Sequence, residues 1–477
     1  MRDLLALFAL VGLASAGAIS VDIRKDQLSA QVADLVQIHR RSGNDIFDLQ
    51  ALNNLTGGGY YADLGIGTPP QKLSFHLDTG SSDTWVNKKG ISFCVEGRPL
   101  LGLPPNCMKQ FDPEVSKTFQ TVSRDFKIGY LDGSSATGDY FNDTVTIQNN
   151  ITIKNQQLGL AKKSESPTGL MGLGMSVGVA SRKVYPTIID NLVSQGVIET
   201  AAFSLYLDSI TESHGSFLFG GIDTKKYIGD LATLPLVADD IHQSDNVTSY
   251  AVELTGFSAD GISTPSLKTK AIFDTGATLV LLPGRIVKPI YDKLGIVTLD
   301  GIPTPFIDCG AANKKGGNTK FKFEFNGKTI SVPLKEMIIN SLADHQDVFR
   351  LFKSQFKGFD SVCMFGIASA DNYKTQDPDP TSSGASTAEP EYALLGDTFL
   401  RSAYVVYDLA GQQVGLAQAY PKSNESNIVT LKANSPLPSI KGMDAPAETK
   451  DSAAGITRLH SGVAVAMALI AAAAVAL

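Results

Sequence analysis

Two short stretches of the sequence each place an aspartate on a tight turn after an apolar strand. The first covers residues 75–81 (FHLDTGS) and the second, in the other half of the chain, covers residues 271–277 (AIFDTGA). One Asp-Thr-Gly is an ordinary turn, since Asp and Gly are common turn formers. Two copies after apolar strands indicate that Asp78 and Asp274 meet in one site. Two carboxyl groups that share a proton serve as general base and general acid.

The composition is that of a folded, acidic protein. The chain has 477 residues, of which 43% are hydrophobic and 19% charged, and its formal net charge is −7. This length permits two large lobes, and the apolar content excludes a disordered polymer. The negative charge, without a basic cluster, argues against nucleic acid as a partner. Abundant Gly, Ser, Thr and Val, with few helical patterns, predict an all-β body.

The four cysteines fall into two pairs that are local in sequence, one in each half. We predict disulfides Cys94–Cys107 and Cys309–Cys363, although the cysteine count alone leaves other connectivities open. Neither pair has Cys-x-x-Cys spacing, and the six histidines are scattered. We therefore expect no metal site and no cofactor.

The amino-terminal region carries two processing signals. An apolar run at residues 4–13, followed by small residues, predicts a signal peptide over residues 1–16 that is too short to span a bilayer. The pair Arg40-Arg41 predicts cleavage after Arg41, with residues 17–41 as a propeptide. Basic pairs are also common on protein surfaces. We hypothesise that the cationic propeptide lies over an acidic cleft and blocks it.

Four motifs follow one another along the chain: residues 66–71 (IGTPPQ), 78–85 (DTGSSDTW), 274–276 (DTG) and 393–401 (ALLGDTFLR). In this order they resemble the pepsin-like aspartic proteases over roughly residues 60–420. The resemblance implies two β lobes, related by pseudo-twofold symmetry, that flank a deep cleft with one catalytic aspartate from each lobe. It also implies hydrolysis of peptide substrates at acid pH and inhibition by statine-type peptides.

We place the amino-terminal lobe at residues 57–210 and the carboxy-terminal lobe at residues 211–423. The resemblance gives supporting roles to residues of the two aspartate loops, namely Thr79, Gly80, Ser81, Thr275, Gly276 and Thr278. Ala277 stands where many relatives carry Thr or Ser. Because a hydroxyl donor is missing there, we expect the aspartate pair to hold its proton to higher pH.

A hairpin in the first half matches the flap that covers the substrate in this family. Residues 126–134 form a strand and a turn at Asp132-Gly133, and a return strand follows. In the resemblance Tyr130 is the flap tyrosine, and Trp85 is the residue that hydrogen-bonds it. Leu131 stands where many relatives have Gly, so we expect a stiffer flap or a narrower subsite.

The carboxy-terminal tail is predicted to end in a lipid-attachment signal. Residues 424–452 are rich in Ser, Pro, Lys and Asn and read as a linker. Small residues, a polar spacer and an apolar end then predict a GPI signal over residues 453–477, attached at Ser452 and removed on attachment. The alternative is a tail-anchored helix, but an apolar run of about 22 Å is shorter than the roughly 30 Å bilayer core. A GPI signal on this protease type resembles the fungal (yapsin-like) surface enzymes.

Surface features complete the prediction. Residues 373–390 are rich in Pro, Asp, Ser and Thr and read as an exposed insert. Five Asn-x-Ser/Thr sequons are candidate glycosylation sites, at Asn54, Asn142, Asn150, Asn246 and Asn424.

The leading prediction is a secreted, monomeric, membrane-anchored aspartic endopeptidase. Glycoside hydrolases also use two carboxylates, but their chemistry does not require both in matching Thr-Gly loops. A catalytically weak surface adhesin on the same fold is the non-enzymatic alternative. Such a protein would typically have lost one aspartate, whereas both are present here.

Overall fold

Strands far outnumber helices among the described residues, which confirms the all-β class predicted from the sequence. The computed structural model describes residues 17–25, 59–96, 107–147, 151–210, 214–239, 241, 245–299, 302–314, 316–340, 354–373 and 391–446. Described residues up to Asp444 belong to one compact unit. A second unit spans Ala445–Leu477, and only its first two residues are described.

The strands of the first half are β1 (Ile19–Lys25), β2 (Tyr60–Ile66), β3 (Gln71–Asp78), β4 (Trp85–Asn87), β5 (Gln120–Gly129), β6 (Ser135–Ile147), β7 (Ile151–Ser164), β8 (Gly169–Gly172), β9 (Ala202–Leu207), β10 (His214–Phe219), β11 (Gly221–Asp223) and β12 (Tyr227–Pro235). Those that follow are β13 (Ala251–Leu254), β14 (Gly256–Ala259), β15 (Thr269–Phe273), β16 (Val280–Leu282), β17 (Val297–Leu299), β18 (Ile302–Asp308), β19 (Lys320–Phe325), β20 (Lys328–Pro333), β21 (Ile338–Ile339), β22 (Val362–Phe365), β23 (Ile367–Ser369), β24 (Tyr392–Leu395), β25 (Ala403–Asp408), β26 (Gln413–Ala419) and β27 (Ile428–Thr430).

Helices are few and short. They are α1 (Ser92–Glu96), α2 (Ile188–Ser194), α3 (Gly284–Leu294) and α4 (Asp397–Leu400), together with single 3-10 turns at Ser176–Gly178, Ala311–Asn313, Leu334–Met337 and Ala370–Asn372. In the part of the chain that the structure describes, none of the helices has the length and apolar character needed to cross a bilayer.

One large sheet joins the two halves of the chain. Among the described residues it has thirteen strands in the order β12-β26-β25-β9-β10-β1-β2-β3-β8-β4-β7-β6-β5. The second half adds smaller sheets, of which β13-β15-β24-β16-β23 is the largest. Buried apolar side chains from both halves form a continuous core between these sheets.

The two aspartate loops sit on equivalent strand arrangements. β3 ends at Asp78 and pairs antiparallel with β2 and parallel with β8. β15 ends just before Asp274 and pairs antiparallel with β13 and parallel with β24. Each loop is thus held from behind by an apolar strand of its own half. This repetition gives the fold its internal pseudo-symmetry.

The amino-terminal segment is a strand of the large sheet rather than a cover of the cleft. β1 pairs antiparallel with β10 along its length and with β2 at Arg24 and Lys25. Ile19, Val21 and Ile23 alternate with polar residues and are buried, so one face of the strand joins the core. The hypothesis that the propeptide lies over the cleft is therefore wrong for residues 17–25. The signal peptide and Arg41 lie outside the described residues.

The predicted linker is wrong for residues 424–443, which pack on the body of the protein. β27 pairs antiparallel with β11, and Leu431 is 4% exposed. Further on, Met443 N donates a 2.8 Å hydrogen bond to Tyr227 O. The physical reason is that Ile428, Val429 and Leu431 supply a short strand and an apolar anchor within a polar composition. Ser452 and the GPI signal lie outside the described residues, as does the insert beyond Tyr373.

Covalent and surface features follow the fold. Cys94 is bonded to Cys107 and Cys309 to Cys363, the pairing that the sequence predicts.

Of the sequon asparagines, Asn246 and Asn424 are exposed, whereas Asn142 is half-buried within β6. Asn54 and Asn150 lie outside the described residues.

Candidate active site

The two aspartate loops are cross-linked by a symmetrical set of hydrogen bonds. Thr79 N donates to Thr275 Oγ1 and Thr275 N donates to Thr79 Oγ1, each at 3.0 Å. The two hydroxyls donate onward to the strands of the opposite half: Thr79 Oγ1 to Phe273 O at 2.9 Å, and Thr275 Oγ1 to Leu77 O at 2.8 Å. All four bonds are buried, so breaking any of them leaves an unsatisfied polar group. The loops are therefore fixed relative to one another.

The cross-linked loops bring the two carboxyl groups into contact. A Cβ placed on Gly80 would overlap the carboxyl group of Asp274, and one placed on Gly276 would overlap that of Asp78. Glycine is thus required at both positions, because each loop closes against the aspartate of the other half. A Cβ on Gly276 would contact both Asp78 Oδ1 and Asp274 Oδ1, so the two carboxyl groups lie close together. Two carboxyl groups this close cannot both ionise at low cost, and one proton is shared between them.

The hydrogen bonds to the two carboxyl groups are not equal. The amide N–H of Gly80 donates to Asp78 Oδ1, and that of Gly276 donates to Asp274 Oδ1, each at 2.8 Å. Asp78 receives a further hydrogen bond from Ser81 Oγ, at 2.5 Å to Oδ2. The equivalent residue after Asp274 is Ala277, which has no hydroxyl. Asp78 is therefore the better stabilised anion of the two.

The protonation of the pair follows from its surroundings. Burial, and then the neighbouring charge of Asp78, raise the pKa of Asp274 well above its usual range, while the Gly276 N–H acts in the opposite direction. The two groups titrate together, so the first proton to bind serves both.

A cleft opens over the aspartate pair. Its cavity has a volume of about 540 Å³ and is lined by both halves of the chain. Asp78 and Asp274 lie in its wall together with Trp85, Tyr130 and Thr278. A cavity of this size accommodates several side chains of an extended peptide.

The flap hairpin, formed by β5 and β6, closes one side of the cleft. Its turn is held by a 2.9 Å hydrogen bond from Tyr130 N to Ser134 O, and Asp132 Oδ1 accepts from Ser134 N and Oγ at 2.9 and 2.6 Å. Gly133 occupies the turn, and its N–H donates to Tyr130 O. Leu131 packs on an apolar cluster of the second half that includes Met364. The flap tip therefore contacts both halves.

Trp85 and Tyr130 are joined as the family resemblance implies. Trp85 Nε1 donates a 2.7 Å hydrogen bond to Tyr130 Oη, and Trp85 is 1% exposed. Burial raises the pKa of Tyr130 well above its usual range, so its hydroxyl stays neutral. This bond fixes the tyrosine ring against the cleft wall.

Sequence reasoning missed a second anchor behind this wall. Asp83 is fully buried and accepts hydrogen bonds from Tyr140 Oη at 2.9 Å, Tyr185 Oη at 2.6 Å and Ala180 N at 2.6 Å. Ala180 lines the cleft, so Asp83 positions part of its wall. Its partners are distant in sequence, and no local pattern signals them.

Sequence reasoning also missed His76. It lies two residues before Asp78 on β3, and its imidazole lines the same cavity. The available signal was the period of two in a strand, which places residues two apart on one face.

Comparisons with known proteins agree with this geometry. The sequence model described as "Eukaryotic aspartyl protease" matches residues 59–419. A "Probable aspartic-type endopeptidase OPSB" of Arthroderma benhamiae is 34% identical over 423 residues, which cover 86% of this chain and 78% of the relative. An "Acid protease" of Saccharomycopsis fibuligera is 35% identical, covering 76% of this chain and 80% of the relative. The "Secreted aspartic protease 6" of Candida albicans is 30% identical, covering 78% of each chain. The chain belongs to the eukaryotic aspartyl protease family and is an aspartic endopeptidase.

Proposed function

We propose that Asp78 and Asp274 together hydrolyse peptide bonds by activating a water molecule bound between them. The observation that supports this most is the close approach of two carboxyl groups, one from each half of the chain, at the wall of a cleft. Their loops are locked by Thr79 and Thr275, so the pair is held ready for reaction without further rearrangement.

In the proposed reaction, ionised Asp78 removes a proton from the water as its oxygen attacks the peptide carbonyl carbon. Asp274 gives its proton to the carbonyl oxygen, and a tetrahedral diol forms. The proton held by Asp78 then passes to the leaving amine, the C–N bond breaks, and a diol hydroxyl returns a proton to Asp274. No covalent bond to the enzyme forms in either step. The hydrogen bonds from Gly80 and Ser81 support the anionic form of Asp78.

The substrates proposed are peptides and unfolded protein segments that lie in the cleft under the flap. Tyr130 and Trp85 supply a rigid wall beside the reacting bond, and Asp132 with Gly133 forms the turn above it. Digestion of a peptide library across acid to neutral pH tests the function. We expect cleavage to be favoured at acid pH and to be blocked by a statine-type peptide, whose hydroxyl takes the place of the water between the carboxyl groups.

The missing hydroxyl at Ala277 leads to a prediction on pH dependence. Activity needs one proton on the pair and is lost as pH rises through the upper of its two pKa values. Ala277→Thr adds a hydrogen-bond donor for the Asp274 anion, which lowers that pKa. We expect the alkaline limb of the kcat/KM profile to move to lower pH by about one unit or less.

The matched control is Ala410→Thr, at an exposed residue outside the cleft, which should leave the profile unchanged. An alkaline limb that stays in place or moves upward in Ala277→Thr would contradict the role assigned to residue 277.

We propose further that the protein is secreted, processed after Arg41 and anchored through Ser452. The predicted signal peptide and GPI signal support this, and the similar Candida albicans protein is named as a secreted protease. Phosphatidylinositol-specific phospholipase C is expected to release the protein from intact cells. A variant that stops after residue 451 should be released without the phospholipase. Retention after treatment of an accessible, unremodelled anchor would argue against GPI attachment.

A further inference from the structure

His76 lies on the face of β3 that is turned to the reacting groups. Along this strand Leu73, Phe75 and Leu77 are buried in the core. His76 and Asp78 alternate with them and line the cleft instead. Residues two apart on a strand are about 7 Å apart, roughly the distance between alternate residues of an extended peptide. This spacing places His76 beside the substrate side chain next to the scissile bond.

The imidazole is built into the cleft wall. Tyr61 lies opposite on β2, with ring centroids 5.3 Å apart, and Leu170 lies opposite on β8. Nε2 lies so close to Gly59 that a Cβ at that position would overlap it. This nitrogen is buried and accepts or donates no hydrogen bond among the described residues. No hydrogen bond at Nε2 therefore fixes the protonation state of the imidazole.

Two carboxylates face His76 from different elements. Asp78 follows it on β3, and Asp132 lies on the flap turn. Burial lowers the pKa of His76, while Asp78 and then Asp132 act to raise it. An imidazole whose pKa is lowered is neutral at neutral pH, and it gains a proton only at a pH below the usual range of histidine. Other titratable groups line the same cavity: Tyr61, Lys127, Tyr130, Asp274 and Tyr373.

Building on the proposed peptide hydrolysis, we propose that His76 is a specificity-determining residue whose charge selects the substrate side chain beside it. A neutral imidazole lets the subsite accept an apolar side chain, or a cationic one balanced by Asp132. A charged imidazolium repels a cationic substrate side chain. The subsite then rejects Lys and Arg and accepts a substrate side chain that carries a carboxylate. The same cleft then has two substrate preferences, one in acid and one near neutral pH.

The size of the effect follows from the distance. Two like charges about 7 Å apart in a partly wetted cleft change a rate ratio by about three- to tenfold or more. We therefore expect the ratio of kcat/KM for a Lys peptide to that for a Leu peptide to be about tenfold lower in the wild type than in a variant that lacks His76, when both are measured in acid.

The test uses three peptides that differ only at the side chain next to the scissile bond, which is Lys, Leu or Glu. Their kcat/KM values are measured across acid to neutral pH for the wild type, His76→Leu and His76→Gln. The ionisation of Asp132 also changes the Lys-to-Leu ratio, so each ratio is divided by that of the variant at the same pH. The direct effect of Asp132 on the Lys-to-Leu ratio then cancels to first order, and what is left reports His76 and its coupling to Asp132.

We divide the Lys-to-Leu ratio of kcat/KM in the wild type by the same ratio in the variant. We expect this quotient to be below one in acid and to approach one near neutral pH. Both variants should agree, because one is apolar and the other polar but neither is charged, and Glu peptides should show the opposite trend. If the quotient does not change with pH for either variant while cleavage still depends on Asp78, the role of His76 is wrong and the proposed function stands. Cleavage that persists in Asp78→Asn would instead overturn the proposed function, and this inference with it.

Discussion

Asp78→Asn is expected to lower kcat/KM for peptide cleavage by about 10²- to 10⁴-fold while the protein stays folded. An amide cannot take a proton from water, and it cannot share a proton with Asp274. The substitution keeps the shape of the side chain and one acceptor oxygen, which can still accept from Gly80 N, while the new amide NH2 can donate to Ser81 Oγ. The measurement is kcat/KM on one peptide, with circular dichroism and the melting temperature as checks on folding.

The matched control for this variant is Asp292→Asn. Asp292 is exposed on α3, where it pairs with Lys288. A surface pair of this kind contributes little, so activity and melting temperature should both stay close to the wild type. Should Asp78→Asn retain more than about one hundredth of the activity, the two-carboxylate mechanism would be wrong.

Gly276→Ala is expected to lower kcat by about 10²- to 10³-fold with a much smaller effect on stability. The new methyl group would overlap the carboxyl group of Asp78 and force the two acids apart. A misplacement of about 1 Å in a reacting group costs about 10²-fold in rate. Gly276 itself lies at the exposed edge of its loop, so the core is not disturbed.

Single-turnover kinetics and thermal melting on the same preparation separate the two effects of Gly276→Ala. Gly310→Ala serves as the control, because the nearest atom to its added Cβ is 3.7 Å away, an ordinary contact. A Gly276→Ala enzyme with wild-type kcat would show that close approach of the carboxyl groups is not needed.

The sequence was informative where function depends on short, ordered motifs. The all-β class and the aspartyl protease family were predicted from the Asp-Thr-Gly loops and the motifs around them, and both predictions are confirmed. Asp-Thr-Gly is local, and its chemistry requires those residue types. The pairing of Cys94 with Cys107 was similarly accessible, because the partners are near in sequence.

What the sequence did not reveal depends on partners far along the chain. The strand at Ile19–Lys25 has an alternating pattern, but its charges and its place before Arg41 suggested a detached cover. The anchor at Leu431 is a single apolar residue in a polar tail. Asp83 is satisfied by Tyr140 and Tyr185, which no local pattern connects to it.

The position of Ile19–Lys25 separates two events that are easily treated as one. Under the proposed processing after Arg41, the cut removes the covalent link but not the ladder of backbone hydrogen bonds to β10 and β2. The cleaved segment then remains bound to the protein through these hydrogen bonds. Its departure leaves two strands without a neighbour between them, which favours rebinding or replacement by another strand. Under this proposal, maturation has two steps: cleavage of the chain after Arg41 and then dissociation or replacement of the bound strand. The slower step determines the rate of maturation.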